Sequence, residues 1–146
     1  MGEFRKLSDT FYASPQVSPQ DISEAAAMGV ALVVNNRPDG EAADQPEGAA
    51  IEAATRAAGM DYLAIPIGSA GFSEPQVERL QDALASAQGP VLGFCRSGTR
   101  STLLWSLAQA RSGGDPDAIA EAAASVGYDV SPVRPAMDMF AARAAE

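Results

Sequence analysis

Short apolar runs alternate along this chain with segments whose apolar residues recur at helical spacing, and this alternation limits the fold more than any other feature. The runs are Phe11-Tyr12-Ala13, Val30 to Asn35, Tyr62-Leu63-Ala64-Ile65 and Val91-Leu92-Gly93-Phe94. They are too short for buried helices and lie close to glycine or proline. The first reads as an edge strand. Ser18-Pro19 opens a helix with Ile22, Ala25 and Ala26 on one face, ended by Gly29. A second helix runs from Glu47 to Ala58 and stops at Gly59. Ser73-Glu74-Pro75-Gln76 resembles a capping box before the stripe Val77, Leu80, Ala83, Leu84 and Ala87. Further helical faces are Leu103, Leu104, Leu107 and Ala108; then Ile119, Ala122, Ala123 and Val126 behind Asp115-Pro116; then Met137, Phe140, Ala141 and Ala144. Strands alternating with helices predict an α/β fold of three layers, a central mainly parallel sheet covered on both faces. The length of 146 residues suits one domain over 1–146, with a core over about 7–135 and a C-terminal helix over about 132–145.

Open sheets of this kind bind ligands at the carboxyl ends of their strands. The loops Asn35 to Gly40, Ile67 to Phe72 and Cys95 to Arg100 leave those ends and should converge. The third is the richest. Four residues, Gly98 among them, lie between Cys95 and Arg100, and a helix begins near Ser101. Winding such a loop around a helix N-terminus turns successive N–H groups into one hollow, which favours negative charge. A cysteine there gains as thiolate and becomes a nucleophile in an anion cradle. A lone cysteine is otherwise a small buried hydrophobe, and the strand–loop–helix setting is what points to chemistry. Arg100 is the clamp on oxyanions. Ser97, Gly98 and Thr99 act through backbone amides, and Arg96 faces outward. Ser101 either donates to the Cys95 sulfur or only caps the helix. On the neighbouring loop, Arg37 adds a second positive charge, while Asp39 and Glu41 are the acids near the site; each is equally an ordinary solvated turn residue. Asn35 and Asn36 fasten that loop through side-chain–backbone bonds. Trp105 and Tyr62 read as packing.

Composition narrows the chemistry. The chain has no histidine, which excludes a Ser-His-Asp triad, a Cys-His dyad and a histidine-based zinc site. Neither a metal nor an organic cofactor is expected. One cysteine excludes an internal disulfide and fits a reducing, cytoplasmic setting. A formal charge of −9 argues against nucleic acid or an anionic membrane as partner. Met1 to Lys6 is followed by polar residues, so no signal peptide is expected, and no run reaches membrane-span length.

Ile65-Pro66-Ile67, the Ser73 to Gln88 helix and Gly89 to Ser101 resemble, in order and spacing, the core of dual-specificity phosphatases. Those enzymes place five residues between cysteine and arginine. The four-residue loop here is similar to that of rhodanese sulfurtransferases. Asn35-Asn36-Arg37-Pro38-Asp39-Gly40-Glu41 together with Cys95-Arg-Ser-Gly-Thr-Arg-Ser101 resembles the bacterial beta-lactamase-hydrolase-like, phosphatase-like domain family, also labelled a sulfur transferase family. The resemblance spans roughly Leu7 to Pro135 and implies a phosphatase-like fold. The leaving-group acid of the phosphatases is matched here by Ser69, which is no acid near neutral pH. With the shorter loop, this favours a rhodanese-like sulfurtransferase in which Cys95 carries a persulfide, taken from thiosulfate or a persulfide donor and passed to a thiol or cyanide. The alternative is a cysteine-dependent phosphatase acting on phosphate esters, with Asp39 or Glu41 supplying the proton. A third reading is a non-catalytic anion or persulfide carrier serving a sulfur dioxygenase-type partner enzyme.

Overall fold

The computed structural model describes residues 3–146, so Met1 and the start of the expected leader-free segment lie outside the described residues. A five-stranded sheet runs through the centre in the order β1-β2-β5-β3-β4. Its strands are β1 (Arg5–Ser8), β2 (Phe11–Ser14), β3 (Leu32–Asn35), β4 (Asp61–Ala64) and β5 (Val91–Phe94). The β2–β5, β5–β3 and β3–β4 pairs are parallel, and β1 alone runs antiparallel, against β2. The mainly parallel three-layer α/β arrangement is the one the sequence predicts.

One strand position differs. The Phe11 run is internal, because Arg5–Ser8 folds back on it and takes the edge. β1 carries no apolar run; its exposed Arg5 and Lys6 and a register shift between Lys6 and Ser8 suit an edge that must not recruit another strand.

Alternation along the strands sorts the core into two layers. Val33, Leu92 and Phe94 face α1 (Pro19–Ala27) and α2 (Gly48–Ala57), packing with Ile22, Ala25 and Ile51. Leu32, Val34 and Val91 face the other way, toward α3 (Glu74–Ser86), α4 (Thr99–Arg111), α5 (Pro116–Ser125) and α6 (Arg134–Ala144). Each fully buried leucine, isoleucine or phenylalanine in these layers contributes about 1.5–3 kcal/mol. Caps follow the sequence signals. Ser18 and Asp21 form a reciprocal capping box at 3.2 and 2.9 Å, the Ser73 N–H donates to Gln76 Oε1 at 2.9 Å, and Asp115 receives the Asp117 N–H.

α4 carries the site and is the most buried helix, covered from Ser101 to Ala108. Its first turn lies close on the sheet because position 93 has no side chain. A Cβ at Gly93 would stand 2.7 Å from the Phe11 ring and 3.4 Å from Ser101 Cβ. At its far end Arg111 binds Glu74 and Glu78 of α3, and Arg143 of α6 joins Glu74 at 2.7 Å. Together the two arginines hold the Glu74 carboxyl at about 2, well below its ordinary 4.5. Among the described residues, no helix is long and apolar enough to cross a membrane.

Candidate active site

Cys95 directly follows β5 and is fully buried, and its N–H donates to Ser14 O at 3.3 Å at the end of β2. The chain then turns through Arg96, Ser97 and Gly98 into α4. Gly98 takes φ +91°, a left-handed conformation that L side chains rarely adopt, and its N–H donates to Cys95 Sγ at 3.1 Å. That bond directs the positive end of an N–H dipole at the sulfur, which also lies by the N-terminal end of α4. Arg96, Ser97 and Thr99 are exposed; Ser97 Oγ donates to Thr99 Oγ1 at 2.9 Å, so these two hydroxyls engage each other.

Arg100 ties the three loops together, as their position at the strand ends predicts. Its Nη1 donates to Ile67 O at 2.7 Å and to Glu41 Oε2 at 2.7 Å, and its Nη2 donates to Glu41 Oε1 at 2.9 Å. Glu41 thus occupies the end fork of the guanidinium. The remaining donors, Nε–H and the outer Nη2–H, meet no carboxylate or carbonyl among the described residues, and Arg100 also shares a side-chain hydrogen bond with Cys95. An arginine edge of this kind, beside a sulfur, has the shape that can take two oxyanion oxygens. The bond to Glu41 holds Arg100 in its charged form against partial burial, and its contact with the Cys95 side chain acts in the same direction as Glu41.

Glu41 also receives Arg37 Nε at 3.0 Å. The Arg100 bonds, reinforced by Arg37, bring its carboxyl from 4.5 to about 2. A group that stays ionised at neutral pH cannot donate a proton, so Glu41 is not the acid the sequence offered. Asp39 is committed as well. Its Oδ1 accepts the Gly48 N–H at 2.8 Å, capping α2, where Glu47 makes no side-chain cap of its own. Arg37 is no solvated turn residue: its side chain is 5% exposed, and Nη1 donates to Gln16 Oε1 at 3.0 Å.

Asn35 and Asn36 fasten the loops, as expected, and more extensively. Asn35 Oδ1 accepts the Arg37 N–H and its Nδ2 donates to Tyr62 Oη at 3.0 Å. Asn36 Nδ2 donates to Ile65 O at 2.9 Å, and its Oδ1 accepts Ser101 Oγ–H at 2.8 Å. Ser101 therefore serves Asn36, not the sulfur. Trp105 is core, its ring 6.1 Å from that of Phe11.

Three contributors escaped the sequence reading: Ser14, Gln16 and Tyr128. Ser14 ends β2 and Gln16 lies just beyond it, and placing that strand beside β5 would have found them by the carboxyl-end rule. Tyr128 follows α5 and donates to Ser97 O at 3.1 Å, a long-range contact without a local signal. Among the described residues, no group of three or more histidine, cysteine, aspartate or glutamate side chains is placed to hold a metal ion.

Residues 3–112 match the family model for the beta-lactamase hydrolase-like protein, phosphatase-like domain. A beta-lactamase hydrolase-like protein of Agrobacterium fabrum is 36% identical over 104 residues, covering 71% of this chain and 24% of its own length. The chain spans about a quarter of the length of the curated relatives it matches. Among solved structures, a candidate phosphatase from Neisseria meningitidis is 31% identical with a TM-score of 0.81, covering 93% of this chain and 96% of that one. P. aeruginosa TpbA in complex with pTyr shares the fold at a TM-score of 0.68 and 20% identity, covering 98% of this chain and 90% of that one. These likenesses overturn the sulfurtransferase expectation, and with it the sulfur donor and the dioxygenase partner: the family and structural neighbours are phosphatase-like. Loop length and a missing acid were its grounds. Neither is specific to sulfur, and the shortened loop still presents an N–H to the sulfur and a guanidinium beside it.

Proposed function

Because the chain belongs to the beta-lactamase hydrolase-like protein, phosphatase-like domain family, we propose that it is a cysteine-dependent phosphatase acting on phosphate monoesters. The observation that carries this reading is the pairing of Cys95 Sγ, held by the Gly98 N–H at 3.1 Å, with an Arg100 that is itself hydrogen-bonded to the Cys95 side chain and whose Nε/Nη2 edge Glu41 does not occupy. The Cys95 thiolate attacks phosphorus, a sulfur–phosphorus bond forms, and the bond to the ester oxygen breaks. Arg100 holds two non-bridging oxygens while charge redistributes over them. Water then attacks the thiophosphoryl group, releasing inorganic phosphate and restoring the thiolate.

The leaving oxygen has no carboxylic acid to protonate it. Glu41 is ionised and bridged, Asp39 caps α2, and Ser69, which the resemblance to phosphatases aligns with their acid, carries no carboxyl. Esters whose alcohol leaves easily as an anion are therefore the substrates, aryl phosphates before alkyl phosphates. The phosphotyrosine held by TpbA is an aryl ester of this kind.

The test is hydrolysis of p-nitrophenyl phosphate and phosphotyrosine by the purified chain and by Cys95→Ser. Acid-quenched wild type should gain one phosphoryl group by intact mass, and the variant none. Equal turnover by Cys95→Ser sinks the mechanism. The committed state of Asp39 and Glu41 also favours a second reading, an anion-binding module without turnover. Stoichiometric binding of phosphate esters with no release of alcohol would select it.

A further inference from the structure

The Cys95 sulfur is approached by one end of a peptide group whose other end is held from outside the loop. The Gly98 N–H, which donates to Sγ at 3.1 Å, and the Ser97 carbonyl belong to the same planar peptide unit. Ser97 O accepts Tyr128 Oη–H at 3.1 Å. The tyrosine hydroxyl therefore fixes which way the 97–98 peptide points.

This peptide is the one most able to turn over. A flip rotates ψ of Ser97 and φ of Gly98, and glycine passes between its conformers without a Cβ penalty. Flipped, the unit would aim its carbonyl oxygen at the sulfur in place of its N–H, replacing a favourable dipole with a repulsive one.

Tyr128 is itself well seated. It is 8% exposed, its N–H donates to Ala123 O at 2.9 Å, and the Arg5 guanidinium lies 4.9 Å from its ring centroid while donating to Val126 O at 3.1 Å. It also presses on the loop. A Cβ at Gly98 would stand 2.1 Å from Tyr128 Oη, so position 98 is closed to any side chain.

We propose that Tyr128 is a positioning residue for the nucleophile, holding the Ser97–Gly98 peptide in the orientation that donates to Cys95 Sγ. Tyr128 lies beyond residues 3–112, so this chain supplies the latch from a segment that the family match does not include. Coupling through a peptide dipole also strengthens the donor, since a carbonyl that accepts a bond polarises the N–H of its own unit.

The experiment is Tyr128→Phe, which keeps the ring and removes the hydroxyl. The chain has one cysteine, so thiolate ultraviolet absorbance titrates Cys95 alone. Each protein is read as the difference from its own Cys95→Ser counterpart, which cancels tyrosine absorbance. Arg100 and Glu41, the charged groups facing the sulfur's side of the loop, are the same in both. Loss of one hydrogen bond should raise the thiolate midpoint by about half to one pH unit. Below that midpoint kcat/KM for an aryl phosphate should fall about three- to ten-fold, and the deficit should vanish above it. A merely structural defect would persist at every pH. Superimposable thiolate titrations overturn the proposal.

If Tyr128→Phe fails to fold by circular dichroism, Tyr128→Leu decides. It also removes the hydroxyl while keeping an apolar side chain, and an unchanged midpoint there overturns the proposal too. The kinetic arm rests on the phosphatase reading, whereas the titration does not. A wild type that hydrolyses no aryl phosphate would remove that reading and still leave Tyr128 decided by its midpoint.

Discussion

Replacing Glu41 by glutamine separates two roles that one carboxylate could have beside the arginine proposed to hold the substrate. Glu41 either aims Arg100 or competes with substrate for it. The geometry selects aiming, because the carboxylate takes the Nη1/Nη2 fork and stays off the Nε/Nη2 edge, while Arg100 also bonds the Cys95 side chain. A glutamine retains one acceptor but turns an NH2 toward a guanidinium donor, so at least one of the bonds at 2.7 and 2.9 Å is lost. Charge-assisted bonds contribute about 1.5–3 kcal/mol each. The Arg100 and Glu41 side chains are 24% and 27% exposed, and solvent screening reduces the loss to about 1–2 kcal/mol. Spent on orientation, that is a fall of about five- to thirty-fold in kcat/KM, carried mainly by kcat. Arg37, 5% exposed, also loses its anionic partner, and Tm should drop by a few degrees, on the order of 3–6 °C. The assay is steady-state hydrolysis of p-nitrophenyl phosphate beside thermal unfolding of the same samples. A Glu41→Gln enzyme as fast as wild type, or faster, would refute the reasoning and make Glu41 a competitor of the substrate.

The acid side of the pH dependence follows from the same group. Its folded value of about 2 lies below the ordinary 4.5, so its stabilisation is fully present above 4.5 and is lost as pH falls through about 2. Acid unfolding of Glu41→Gln should lack that component when the two proteins are titrated side by side, and no loss of wild-type activity between about pH 5 and 8 should trace to Glu41. Asp39→Asn should change kcat/KM for aryl phosphates by less than about two-fold while lowering stability by about 0.5–1 kcal/mol in urea, since its oxygen caps α2; a collapse of activity would return it to the role of acid. Gly93→Ala should destabilise by about 1–3 kcal/mol, because the added methyl meets Phe11 at 2.7 Å, and an unchanged denaturation midpoint would contradict that packing. Ser101→Ala should cost about 1–3 kcal/mol by leaving Asn36 Oδ1 buried without its donor, with the Cys95 thiolate titration little moved; a large shift in that titration would mean that the hydroxyl serves the sulfur after all.

How much of this was legible in the sequence depended on whether the cause was local. Capping at Ser18 and Asp115, the glycine stops at Gly29 and Gly59, and the apolar runs of β3 and β5 are short-range signals, and the elements follow them. β1 was missed because an edge strand of Arg5, Lys6, Leu7 and Ser8 has no period to detect. At the site, Cys95, Gly98 and Arg100 could be read together because one loop carries them. The pairing of Glu41 with Arg100 joins residues 59 apart, and that of Tyr128 with Ser97 joins residues 31 apart. Nothing in the residue types distinguishes a carboxylate that donates protons from one pinned by two arginines; only the fold brings Arg37 and Arg100 to the same oxygen. The chemistry was misjudged for a related reason. Loop length is a local count, and the phosphatase-like character of the domain is a property of the whole arrangement.

Asn36 gives that loop length a meaning of its own. Its backbone N–H reaches Phe94 O, its carbonyl accepts from Ile67, its Nδ2 reaches Ile65 O and its Oδ1 holds Ser101. One side chain thereby keys the rotational phase of α4 to the sheet. Each residue added to a helix start advances its side chains by about 100° around the axis. Grafting a fifth residue between Cys95 and Arg100 would swing the serine off Asn36 and the arginine off Glu41 in one movement, unless α4 slid along its axis against the close contact at Gly93. The number of residues in the cradle is therefore fixed from behind, by the gearing of a helix against an asparagine, and a redesign for a larger anion would have to recut both teeth at once.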